Sequence, residues 1–273
     1  MNAKMKKTIK VFVVTLAFFL ALFIFSVLLN RDNTGMTMEM AQATYPTVSI
    51  QNNARMVNRM QGYANPMDTS YMRESITPLE EGRSISIYVD KYGREITGLA
   101  YEVRSIDGER LIESTELTDY VEKKDYITTT FSVKDLIESN EEYTLIILVT
   151  LDSGEVIRYY TRMIWSDNLY VAPKLAFVKE FHEKTYDSTA INDLVKYMES
   201  NSKGNNTTLH KVDIHSSMKQ LGWGELEVRK VNEPVMELKD INPQTASVAL
   251  RTVVSTGAGK RKVYYFVEEV YRI

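Results

Sequence analysis

Along this chain the spacing of hydrophobic and polar residues passes from one continuous apolar run to strict alternation, then to a helical period, then back to alternation. Residues 11–29 read VFVVTLAFFLALFIFSVLL, with no charge and only Thr15 and Ser26 polar. As a helix rising 1.5 Å per residue, the run reaches roughly 28 Å, close to the thickness of bilayer hydrocarbon. A backbone in lipid must satisfy its own hydrogen bonds, so residues 11–30 are expected to form a transmembrane helix. Lys4, Lys6, Lys7 and Lys10 precede it with no acid among them, and such charge is retained on the cytoplasmic side. The reading is a single-pass cell-membrane protein with a cytoplasmic tail at 1–10, a signal anchor at 11–30 and an ectodomain outside. The rival is a cleaved signal peptide, whose apolar part runs about 7–15 residues up to a small-x-small site. Here the run is longer, and the nearest such triplet, Ala41-Gln42-Ala43, lies well past its end.

Residues 31–82 read as a juxtamembrane spacer. Within it, residues 45–51 and 54–60 flank Asn52-Asn53, a pair that tolerates positive φ, and so predict a short hairpin. Gly62, Pro66, Pro78 and Gly82 mark the rest as mostly loop. From Arg83 onward apolar residues alternate. Ile85, Ile87 and Val89 form one row, Leu99, Tyr101 and Val103 a second, and Ile127, Thr129, Phe131 and Val133 a third. Residues 143–151 (YTLIILVTL) are apolar on both faces, as a central strand is. In 155–165, Ile157, Tyr159, Met163 and Trp165 are expected inward, with Arg158 and Arg162 outward. Asp107-Gly108 and Asp152-Ser153-Gly154 supply turns. Residues 83–166 therefore predict an all-β antiparallel sandwich.

Within that stretch, Ile137-Glu-Ser-Asn-Glu-Glu-Tyr143 precedes a buried strand and a Gly-containing turn. Over about 80–166 the arrangement resembles the E–F corner of fibronectin type III and Ig-like domains. The resemblance implies that Tyr143 opens a strand and bonds back through its hydroxyl to the upstream loop. It also implies a module that binds or spaces.

Past residue 166 the period lengthens. Pro173 suits the first turn of a helix, whose apolar side carries Leu175, Phe177, Val178, Phe181, His182 and Tyr186. Asp187, Ser188 and Thr189 are candidate caps for a second helix, with Ile191, Leu194, Val195 and Met198 on its inner face. Strands are then expected at 208–214, 225–231, 235–238, 245–254 and 262–273, the last two joined at Gly257-Ala258-Gly259. Two helices followed by an antiparallel sheet make 167–273 an α+β domain. The chain stops inside a strand pattern, on Val270-Tyr271-Arg272-Ile273, so the domain resembles one truncated at its C-terminus.

Composition narrows the chemistry. There are 33 Lys and Arg against 36 Asp and Glu. With four lysines ahead of the anchor, the ectodomain is net acidic, which argues against nucleic acid as a partner. No cysteine is present, which excludes disulfides, thiolate metal sites and a Cys nucleophile. The lysine-rich start, signal anchor, missing cysteine, 17 Tyr and 13 Met together resemble uncharacterised membrane-anchored proteins of Gram-positive anaerobes.

The histidines are His182, His210 and His215. On one strand, His210 and His215 would face opposite sides, so no metal site is expected. His182 reads as a packing residue on an apolar helix side. His215-Ser216-Ser217 lacks the elbow of a serine hydrolase, and Ser216-Ser217 reads as a turn or cap. Glu80-Glu81, Glu141-Glu142 and Glu268-Glu269 read as solvated acid pairs. Gly222-Trp223-Gly224 reads first as a core anchor and second as a ligand platform.

No catalytic residue, cofactor or metal is assigned. The expected function is a non-catalytic envelope module that binds or spaces, its partners being the membrane through 11–30 and an unidentified envelope protein or polymer. One alternative is a ligand-sensing ectodomain, for which Phe177, Trp223 and Tyr265 would contact the ligand in an apolar pocket. Another is an envelope hydrolase using two converging carboxylates.

Overall fold

The computed structural model describes residues 3–29, 45–52, 55–70, 72–134, 136–205, 207, 212–257 and 262–273. The chain divides into two compact units, Met1–Ala43 and Thr44–Ile273. The first holds helix α1, Ala3–Leu29. Its stretch Thr8–Leu28 is long and apolar enough to cross a membrane.

The second unit is built from two mixed sheets. One runs β3 (Ile76–Pro78), β10 (Val156–Ile164), β9 (Glu142–Leu151), β5 (Ile96–Ser105), β6 (Leu111–Leu117). The other has nine strands. It begins with the short β7 (Val121–Glu122), then β8 (Tyr126–Ser132) and β4 (Ser84–Asp90). The β1 and β2 hairpin (Thr47–Asn52, Arg55–Met60) follows. Next come β12 (Val235–Ile241) and β13 (Ala246–Thr256), which pairs on one side with β11 (Arg229–Lys230) and on the other with β14 (Val263–Arg272).

Side-chain alternation decides which faces meet. Ile85, Ile87 and Val89 are buried while Ser84, Ser86 and Tyr88 are half-exposed. Leu99, Tyr101 and Val103 on β5 behave the same way. The two inner faces share one apolar core, and Tyr101 stacks on Phe131 of the opposite sheet with ring centroids 4.3 Å apart. Burial pushes the Tyr101 hydroxyl up to about 12, with its bond to Glu113 adding to the effect. The hairpin turn between β9 and β10 needs a positive φ, which Gly154 supplies at 81°.

Three expectations change here. The sandwich is not confined to 83–166, nor the C-terminal part to a separate α+β domain. Strand β12 joins β2 in parallel at Met236 and Val57, and Leu175, Val178, Leu238 and Val248 belong to the same core as Ile87 and Leu145. The reason is that β4, β8 and β7 make too narrow a layer to cover the five-stranded sheet, and the hairpin with β12 and β13 completes it. Arg162 lies on the face of β10 opposite Tyr159 and Met163, as expected, but it is buried there and not in solvent. Its guanidinium bonds Glu142 at 2.9 Å and the carbonyl of Lys239 at 2.5 Å, so a buried charge is matched where the two sheets converge. Among the described residues the C-terminal strands are fewer than expected. Residues 212–214 are loop and turn, and only Arg229–Lys230 is strand within 225–231; residues 208–211 lie outside the described residues.

Helix α2, Val171–Tyr186, begins before Pro173, which still sits in the first turn, where its missing N–H costs nothing. The second helix is a 3-10 helix, Ala190–Tyr197, with Ile191 and Leu194 buried and Val195 exposed. Asp187 Oδ1 accepts from the N–H groups of Thr189 (2.8 Å) and Ala190 (3.0 Å), as a cap does.

Candidate functional site

The polar centre of the helix-bearing side is Glu269. On β14, odd residues face α2 and even residues face away, so Glu269 turns inward while Glu268 stays outside with Arg251, 2.5 Å away. Glu269 Oε2 lies 2.5 Å from His182 Nδ1 and accepts from the Tyr271 hydroxyl at 3.1 Å. Its Oε1 accepts from the Trp223 indole N–H. Burial works to raise the Glu269 pKa, but the bonds from His182, Trp223 and Tyr271 outweigh it and hold the carboxyl below its ordinary value. The same burial, with the Glu269 charge nearby, pushes the hydroxyls of Tyr271 and Tyr186 well above theirs.

Two glycines let Trp223 reach this carboxylate. A Cβ on Gly222 would stand 2.4 Å from Ile191 Cδ1, and one on Gly224 would stand 2.6 Å from the Tyr186 carbonyl oxygen. At Gly224 only a bare backbone passes so close to the end of α2. Gly224 N–H then bonds the Thr185 carbonyl at 3.1 Å, and the indole stacks on Tyr186 with centroids 6.3 Å apart.

Two cavities open on either side of the Phe181–Tyr271 ring pair, whose centroids are 5.8 Å apart, edge to face. The larger, about 680 Å³, is walled by Phe177, Phe181, Tyr197 and Tyr271, with Tyr170 and Pro173 at one end and Lys174 and Arg272 at its margin. Phe177 and Tyr197 meet at right angles, centroids 5.9 Å apart, and both are exposed. Lys174 Nζ donates to the carbonyls of Asn242, Pro243 and Thr245, and desolvation lowers its pKa. The smaller cavity, about 330 Å³, is lined by Trp223, Leu221, Leu226, Thr185 and Glu269. A third recess, about 660 Å³, lies on the outer side of β4 and β8 and is mainly polar. There Ser86 and Thr130 already bond each other at 2.8 Å. The aromatic groove therefore offers the larger apolar surface to a ligand.

Of the residues singled out in the sequence, Phe177 walls the larger cavity and Trp223 the smaller. Tyr265 lies exposed on β14 and lines neither. Tyr143 accepts a hydrogen bond from Glu138 N–H at 2.9 Å, so its hydroxyl ties the start of β9 to the preceding loop. His182 is buried as a packing residue but also carries the Glu269 contact. His215 sits in a turn, with Asn201 Nδ2 3.0 Å and the Glu199 carbonyl 3.1 Å from its Nδ1. Ser216 Oγ accepts from Asp213 N–H at 3.1 Å and so closes that turn. His210 lies outside the described residues. Among the described residues no three His, Asp or Glu side chains gather as a metal would require. Glu268-Glu269, expected as a solvated pair, diverges to opposite faces of β14, so its carboxylates share no cleft. The period of two in a strand was the signal that separates them.

No protein-family profile matches the chain, and no curated protein does. Solved structures overlap it weakly. An engineered protein matches with a TM-score of 0.26 and 16% identity, over 46% of this chain and 21% of its own. The present chain thus spans about a fifth of that protein. CopC from Methylosinus trichosporium OB3b matches with a TM-score of 0.23 and 12% identity, over 38% of this chain and 96% of its own. Spo0M, a sporulation control protein from Bacillus subtilis, matches with a TM-score of 0.24 and 7% identity, over 83% and 89%. Overlaps of this size carry no functional argument.

Proposed function

We propose that this chain is a membrane-anchored, non-catalytic binding module of the cell envelope, with its N-terminus in the cytoplasm and residues 31–273 outside. The apolar length of Thr8–Leu28 supports the anchor, and the lysines before it support the orientation. Binding, not spacing, is supported by one observation: an open groove of about 680 Å³ whose walls are four aromatic rings. A spacer gains nothing from leaving Phe177 and Tyr197 in water, whereas a ligand that covers them gains roughly 25 cal/mol for each Å² of apolar surface removed from solvent. The groove suits a flat apolar body, and Arg272 at its margin suits an anionic group on that body. A segment of an envelope protein or polymer with those features is the expected partner.

The test uses residues 44–273, a compact unit with its own core. Fluorescence titration with an anilinonaphthalene sulfonate, a flat apolar anion, should show saturable binding that Phe177→Ala and Tyr197→Ala each weaken. Leu111→Ala, an exposed apolar control on β6, should leave it unchanged. Equal affinity in all three variants would sink the groove as the site. For orientation, protease added to intact spheroplasts should degrade the chain beyond Arg31 and spare the lysine-rich start.

A further inference from the structure

Among the described residues, the outer side of strand β14 is an unpaired edge. Among those residues the strand pairs with β13 alone, in an unbroken ten-residue register from Ser247 opposite Arg272 to Thr256 opposite Val263. A free edge of this length is a template for another strand, and proteins normally blunt it by shortness, proline, bulges or charge. The other sheet ends do so: β7 has two residues, β3 has three and ends in Pro78, and the pairing of β6 with β5 shifts register at Val103 and Arg104. Strand β14 has no proline, glycine or lysine, and its charges, Glu268, Glu269 and Arg272, all lie in its C-terminal half; its first half leaves Tyr264, Tyr265 and Phe266 to solvent, Phe266 at 69% exposure.

A row of alternating charge crosses the sheet toward this edge. Glu237 on β12 holds Arg251 on β13 at 2.7 Å, and Arg251 holds Glu268 on β14 at 2.5 Å. The row ends on an acid, so the next strand should place a base there. The chain carries that base six positions upstream, at Lys262, on the same face as Glu268. We propose that β14 pairs antiparallel with β14 of a second copy about a two-fold axis through Tyr265. Lys262 then stands opposite Glu268 of the second copy, and Glu268 opposite its Lys262. Tyr264 stands opposite Phe266 on the same face; Val263 stands opposite Val267 and Tyr265 opposite itself on the other. Sliding the strands two residues toward the C-terminus sets Lys262 against Val270 and Glu268 against Tyr264. Two further residues set Lys262 against Arg272, a like-charge pair that disfavours the register. The contact is isologous and closed, and it joins two nine-stranded sheets into one.

The chain has no cysteine, so single thiols report without background. In membranes from cells expressing the full chain, copper phenanthroline should cross-link Tyr265→Cys to itself, because residues directly opposite have Cβ atoms about 5 Å apart. Val270→Cys, also exposed but roughly 33 Å from its own copy along the ladder, should stay monomeric. Adding Lys262→Glu to Tyr265→Cys should abolish the cross-link. Co-expressed Lys262→Cys and Glu268→Cys chains, which keep Tyr265, should cross-link to each other. The proposal fails if Tyr265→Cys and the mixed pair both remain monomeric while a maleimide labels their thiols. Cross-linking of Val270→Cys to the same extent would likewise overturn it, since the register would then be wrong.

Discussion

Asn58 and Leu238, 180 residues apart, are joined by a hydrogen bond of 2.8 Å from the Leu238 N–H to the Asn58 side-chain oxygen. The same side chain donates to the Ile76 carbonyl at 2.8 Å and to Thr77 Oγ1 at 3.2 Å. Asn58 is 1% exposed and takes a φ of 51°, a conformation Asn tolerates better than most residues. It pins β2, β3 and β12 together where the β2–β12 ladder has a single registered pair.

Asn58→Leu should therefore destabilise the unit by about 3 kcal/mol, since it strands a buried N–H and a buried carbonyl and adds backbone strain. Thermal unfolding followed by circular dichroism should show a fall of roughly 10 °C. A fall as small as that of a surface substitution would mean the bridge is dispensable.

Glu269 predicts a pH dependence. Its folded pKa lies below its ordinary value of 4.5, so it contributes stability above that value, and the contribution is lost as pH drops through the folded pKa. Glu269→Gln should cost about 1–3 kcal/mol at neutral pH and flatten part of the acid loss. Urea unfolding between pH 3 and 7, on the native chain and the variant, checks both; parallel curves would place the acid sensitivity elsewhere.

Tyr143→Phe removes the acceptor of the Glu138 N–H and should cost about 1–2 kcal/mol. Hydrogen exchange at the Glu138 amide should speed up more than at amides inside β9. If exchange there is unchanged, the hydroxyl does not hold the corner.

Gly224→Ala places a Cβ 2.6 Å from the Tyr186 carbonyl oxygen, a backbone atom that cannot swing aside. A loss of about 1–3 kcal/mol is expected, along with a red shift of Trp fluorescence as Trp223 leaves Glu269. Gly82→Ala meets no atom within 4 Å but sits at φ 71°, so it should cost stability without touching the fluorescence. Identical spectra for the two variants would separate Trp223 from its glycines.

The sequence alone determined what depends on neighbours along the chain. An uncharged run of this length needs a helix, alternation needs a strand with one buried face, and Asn-Asn, Asp-Gly and Ser-Gly need turns. These are local energies, and α1, the β1–β2 hairpin, β4 to β6 and β8 to β10 follow from them, whereas the two-residue β7 does not. The Tyr143 corner was legible for the same reason, since its donor, Glu138, is five residues away. Only the tertiary structure decided which strands meet. The pairing of β12 with β2 depends on how much of the five-stranded sheet remains uncovered, a property of the whole assembly. Arg162 and Glu269 look like surface charges in the sequence because a single strand has two equivalent faces. Which one is buried is settled by what packs against it, Lys239 in one case and the His182 and Trp223 side chains in the other. The groove is the furthest from the sequence, since its walls come from α2, the 3-10 helix and β14, and apart from the i, i+4 spacing of Phe177 and Phe181 no local pattern brings those rings together.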